Sequence, residues 1–155
     1  MHNISLITTL AAGFGLALVF GNMAAGGRLG SLPPRPLVAV SRVVGALALG
    51  AAMLLPLPAW AVIGLHALFA GISGLSMVAT TLLLTAESPA GRATTLTLNG
   101  SAMSLGLGLG GALGGLLLVF GDYPALGFGA LAIGLASAAL TWWSRPHAVP
   151  APAAD

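Results

Sequence analysis

The chain contains no cysteine and no lysine. Without thiols there are no disulfides, no thiolate metal ligands and no cysteine nucleophile. Charged residues of either sign make up only 5% of the 155 positions, against about 25% in an ordinary soluble domain. Five arginines against three acids give a net charge of +2, too thin a basic balance for nucleic-acid binding. No Walker lysine, HExxH or GxSxG pattern is present, and nothing in the sequence points to an enzyme, a cofactor or a metal. Gly106, Gly108 and Gly111 do match GxGxxG, but they fall in the middle of an apolar run. No strand precedes them and no acid lies at the distance a dinucleotide fingerprint requires.

What fills the chain instead is hydrophobic: 57% of the residues, with a mean hydropathy of +1.03. Five apolar segments of roughly membrane-crossing length follow one another, at about 4–25, 37–55, 59–85, 93–120 and 124–143. The expected fold is an all-α integral membrane protein of about five transmembrane helices. Its membrane domain covers 1–145, and a Pro/Ala-rich tail, 146–155, is expected to be disordered. No basic residue precedes Arg28, so the first segment lacks the basic start of a secretory signal peptide and is read as a retained span.

The breaks between segments are distinct. Residues 26–36 combine arginines with three prolines, and Pro56 and Pro58 form a second, uncharged break. At the third, Ser88 is placed to cap the next helix, with Pro89 in its first turn. Gly121, Asp122, Tyr123 and Pro124 form a tight turn. Arg28, Arg35 and Arg42 cluster at the first break, Arg92 stands at the third and Arg145 follows the last span. The second and fourth breaks carry none. The positive-inside rule then puts the N-terminus outside and the C-terminus in the cytoplasm of a multi-pass plasma-membrane protein. Trp60, Tyr123, Trp142 and Trp143 fall at interfaces, as an aromatic belt requires.

The fourth segment carries glycine at 106, 108, 110, 111, 114 and 115. Small residues four apart let membrane helices approach closely, so Gly106, Gly110, Gly111, Gly114 and Gly115 are expected to be gripped by other helices.

Two stretches resemble a known family. Gly21-Asn22-Met23-Ala24-Ala25-Gly26-Gly27-Arg28-Leu29 is similar to the end of the eighth helix and the following cytoplasmic loop of major facilitator superfamily transporters. Ala90-Gly91-Arg92-Ala93, then Leu98-Asn99-Gly100-Ser101-Ala102 and the glycine run, resembles the loop and eleventh helix of the drug:proton antiporter and sugar-efflux branch. The resemblance runs from the eighth helix to the twelfth, part of a C-terminal half. Where the family's loop has an acid and a base, this chain has Ser31 and Leu32, so the acid that locks the cytoplasmic gate is missing.

The resemblance implies a fragment or truncated copy of an efflux permease, exporting small organic compounds or drugs by proton antiport. Its partners would be the lipid bilayer, a small-molecule substrate, and either an N-terminal half or a second copy. A non-transporting scaffold or partner subunit, or a truncated product without function, is the alternative.

By the same resemblance 59–85 corresponds to the tenth helix, which lines the central cavity. Ser73, Ser76 and Thr80 share one face of it. His66 is read as the only ionisable side chain well inside a span, either a proton relay or a residue bonded to a local carbonyl. Asn99, Ser101 and Ser104 lie early in the glycine-rich helix, for substrate contact or for interhelical bonds. Asn22 likewise needs a polar neighbour. Arg28, Arg35 and Arg92 are topology determinants, with a gate role for Arg28 and Arg92 implied by the family.

Overall fold

The computed structural model describes residues 2–88 and 91–144, with side chains for 10–27, 29–88 and 91–144. Every element among them is helical: α1 (His2–Gly26), a 3-10 turn (Arg28–Ser31), α2 (Pro34–Leu54), α3 (Ala59–Ala86) and α4 (Arg92–Trp143). By length and composition α2, α3 and α4 can each cross a membrane, and α1 adds the apolar stretch Leu10–Gly26.

At 1.5 Å per residue α4 would be about 78 Å long if straight, more than twice a hydrocarbon core of about 30 Å. It is not straight. Asp122 has φ 58° and ψ −165°, and the backbone reverses there. Leu126 Cδ1 comes 3.5 Å from where a Cβ on Gly114 would sit, and Leu117 Cδ1 2.7 Å from one on Gly129. Twelve residues of continuous helix would separate these pairs by about 18 Å. The two arms, 92–121 and 123–143, therefore fold back on each other and are the fourth and fifth expected spans.

Three boundaries differ from expectation. α2 begins at Pro34 and takes in Arg35 and Pro36, because a first turn has no use for the N–H that proline lacks. The tight turn expected over 121–124 narrows to Asp122, and Pro124 falls in the first turn of the second arm for the same reason. Ser88 does not cap α4. Gly91 does, at a φ of 88° that favours glycine, while the Ser88 hydroxyl donates to the Gly91 carbonyl at 2.9 Å and pairs with Thr95. Pro89, Arg145 and the tail lie outside the described residues.

The helices pack side by side, α1 on α3, α3 on α2, and α2 on the second arm of α4. The last pair is antiparallel in steady register: Leu54 lies against Gly127, Gly50 against Leu131, Ala46 against Gly134 and Arg42 against Ser137. What is buried is mostly small: Ala25, Ala39, Ala46, Ala48, Ala70, Ala79 and Ala138, together with Leu75, and with Val38 the largest side chain wholly enclosed. Phe14, Phe20, Trp60, Phe120, Phe128, Trp142 and Trp143 point outward. A water-soluble fold would bury those rings. Lipid provides no hydrophobic drive to do so, and close backbone packing through small residues holds the helices instead.

α1 and α3 show this most clearly. A Cβ on Gly21 would overlap the Gly71 carbonyl, and one on Gly74 would overlap the Leu18 carbonyl and lie 3.0 Å from Asn22 Oδ1. The first arm of α4 behaves differently. Apart from the half-buried Thr95, Asn99, Gly114 and Leu117, its residues are exposed.

Candidate functional site

α2, α3 and both arms of α4 surround an open cavity of about 810 Å³, with Leu18 of α1 at its edge. Its polar lining comes from three directions: Ser41 and Arg42 on α2, Ser73, Ser76 and Thr80 on α3, and Asn99 and Ser137 on the two arms. Phe69, Ile72, Met77, Met103 and Ile133 supply apolar wall. The shared face expected of Ser73, Ser76 and Thr80 is thus the face turned to the cavity.

Most helical hydroxyls outside this face bond back to their own helix. Thr81 donates to the Met77 carbonyl at 3.0 Å, Thr97 to Ala93, Ser101 to Thr97 and Ser104 to Gly100, each at 3.1 Å. Ser73, Ser76, Thr80 and Asn99 make no side-chain hydrogen bond to any described residue. Their donors and acceptors remain open to whatever occupies the cavity.

Arg42 sits eight residues beyond the start of α2, about 12 Å along the helix, well past the cluster at the break with which its charge had been grouped. His66 is therefore not the only ionisable group inside a span. Arg42 Nη1 donates to the Ser137 hydroxyl, to the Ser137 carbonyl at 3.4 Å and to Thr141 Oγ1 at 3.1 Å. Thr141 in turn donates to the Ser137 carbonyl at 2.8 Å. No acid among the described residues pairs with Arg42.

The other candidates separate from this cavity. His66 is half-buried, and its Nδ1 donates to the Val62 carbonyl at 2.9 Å within its own helix. Ser104 is exposed and back-bonded, and Arg92 is exposed at the start of α4. Gly106 lines the cavity. A Cβ added at Gly110, Gly111 or Gly115 would meet nothing within 4 Å, and one at Gly114 would meet only Leu126. Among the described residues the glycine run grips no other helix beyond that one contact with its own second arm. The tightest backbone-to-backbone approaches between helices are made elsewhere, at Gly21 and Gly74. Asn22 places its Oδ1 in that α1–α3 crossing, buried and without a hydrogen-bond donor among the described residues.

At the end of the bundle that carries the breaks near residues 30 and 88, Arg35 is not merely a topology marker. Its Nε and Nη2 donate to Glu87 Oε1 and Oε2 at 2.8 and 2.7 Å, and its Nη1 reaches the Ser144 carbonyl. Glu87 follows the C-terminus of α3, where the helix dipole opposes a negative charge, and Arg35 offsets that while joining α2, α3 and α4. The backbone of Arg28 lies in the 3-10 turn, and its side chain is outside those described.

Compared with known proteins, the chain matches no family model, no curated sequence and no solved structure at a significant level.

The sequence alone places Arg42 with the basic first break and does not single out Ser137 or Thr141. An arginine five residues inside an apolar span was one signal; Ser137 and Thr141, one turn apart on the last helix, were the other.

Proposed function

We propose that the chain is part of a membrane carrier of the major facilitator type, moving small organic compounds outward in exchange for protons. The observation that carries this reading is the cavity: in a bundle with almost no charge, one open space collects an arginine and four polar side chains whose hydrogen bonds are unused. In such carriers the solute binds near the bilayer midplane and one half rocks against the other. α3 then plays the part of the cavity-lining tenth helix. No acid among the described residues lies in the cavity wall, so the proton would be carried by His66 or by a group in another part of the carrier. Uptake of a fluorescent dye into inverted vesicles tests the proposal. Accumulation that requires a proton gradient and is abolished by an uncoupler supports it; accumulation equal to that of empty vesicles rejects it.

A second reading is favoured by the first arm of α4. Its exposed, glycine-rich surface suits a partner-subunit role, with another membrane helix seated there. Light scattering of the detergent-solubilised chain would separate a lone protomer from an assembly.

A further inference from the structure

We infer that the cavity selects an anionic ligand: an oxyanion head, carboxylate, sulfonate or phosphate, on an apolar body. The inference rests on reading the cavity as a solute site and adds the class of solute.

Arg42 sets the sign. Its guanidinium carries a permanent charge and five donors, and Nη1 makes all of its hydrogen bonds to described residues, leaving the edge formed by Nε and Nη2 unengaged. That planar fork matches the two oxygens of an oxyanion. Among the described residues no carboxylate lines the cavity, so no negative charge in its wall competes for Arg42 or favours a cation. An unpaired charge inside an apolar bundle is costly, and an anionic head would relieve that cost where a neutral one would not.

The remaining polar groups agree. Ser73, Ser76, Thr80 and Asn99 can donate to further oxygens of the head, while Phe69 and Ile72 offer apolar contact to the body. Two sources present this chemistry: a dissolved amphipathic acid, or the headgroup of an anionic lipid entering from the side.

The test uses the purified chain in phosphatidylcholine nanodiscs, with 1-naphthoate as probe and the neutral, nearly isosteric 1-naphthamide as control. Binding is measured by equilibrium dialysis. A charge-assisted hydrogen bond predicts naphthoate at least about tenfold tighter than the amide. Arg42→Gln should erase the preference, and Arg42→Lys, which keeps the charge without the fork, should retain part of it. Should Arg42→Gln fail to fold, Ser76→Ala with Thr80→Ala takes its place and should weaken naphthoate severalfold. Equal binding of acid and amide, a preference that survives Arg42→Gln, or an unchanged affinity in the serine–threonine variant overturns the inference.

Discs containing phosphatidylglycerol separate the sources. Naphthoate affinity that falls as the anionic lipid rises assigns the site to a headgroup, and constant affinity assigns it to the dissolved acid. Anion-selective binding without uncoupler-sensitive uptake would keep this site and remove the transport reading. Uptake with no anion preference would do the reverse.

Discussion

Replacing Gly21 with alanine inserts one methyl group where α1 crosses α3. The new Cβ would lie 2.7 Å from the Gly71 carbonyl carbon and 3.0 Å from its Cα, and would overlap the carbonyl oxygen. Comfortable separations between such atoms are about 3.5–4.0 Å, so the helices must part by roughly 1 Å. The obstacle is backbone on both sides, and no rotamer change can absorb it. A gap of that size forfeits a quarter to a half of the attraction at each contact across it, and overpacking of this kind costs about 1–3 kcal/mol. The alanine recovers part of that through its better helix propensity, about 0.8–1 kcal/mol. Gly64→Ala is the internal control. It lies on α3 as well, and its Cβ would meet nothing within 4 Å, so only the propensity gain remains.

Unfolding in mixed micelles of rising dodecyl sulfate content, followed by tryptophan fluorescence, gives both numbers from one assay. Gly21→Ala is expected to be less stable than Gly64→Ala by about 1–3 kcal/mol. Gly74→Ala should behave like Gly21→Ala, and the double variant should cost less than the sum, because one separation of the helices relieves both clashes. If Gly21→Ala and Gly64→Ala unfold at the same point, the close α1–α3 crossing is refuted.

Arg35→Gln should lower the unfolding midpoint by removing the guanidinium that offsets the Glu87 charge at the C-terminus of α3, and the loss should shrink in high salt; a salt-independent loss would count against the ion pair. Asp122 occupies a backbone region that is nearly exclusive to glycine, so Asp122→Gly should stabilise the chain by about 1 kcal/mol and Asp122→Ala should not, as read by the same titration. Single alanines at Ser73, Ser76 and Thr80 should change stability by no more than about 0.5 kcal/mol, because these hydroxyls hold nothing in place; a larger loss would mean that they bond within the bundle. Asn22→Ala removes a buried oxygen that has no donor among the described residues and should stabilise by about 1 kcal/mol, measured in the same way.

The helices were legible because lipid-facing segments advertise themselves locally. Each apolar run, and each break carrying proline or charge, is a property of neighbouring residues, and the observed helices start and stop within a few positions of the runs. The face of Ser73, Ser76 and Thr80 was legible too, since helical spacing alone determines which residues share a side. Arg42 was not. Counted along the sequence it was one more arginine near a basic break. What makes it part of a site is Ser137, 95 positions away on a helix whose placement depends on the reversal at Asp122.

The glycines teach the same lesson more sharply. A dense run from 106 to 115 is conspicuous, while Gly21 and Gly74 are isolated, yet the isolated pair makes the tight crossing and most of the run faces open space. Glycine permits close approach but does not supply the helix that approaches. At Gly21 the neighbour is α3, part of this chain. At Gly110, Gly111 and Gly115 no described residue comes near, and a mid-span glycine left that way keeps its low helix propensity without the close contact that would offset it. The two sets therefore respond oppositely to the same change. Alanine at 110 or 111 should leave the isolated chain as stable as before or more so, whereas in an assembly seated on this arm it should weaken association just as Gly21→Ala weakens the bundle. Comparing the Gly110→Ala and Gly111→Ala chains alone and as an assembly thus decides whether the first arm of α4 is a lipid-facing helix or half of an interface. Unchanged association in both variants would leave lipid as its only neighbour.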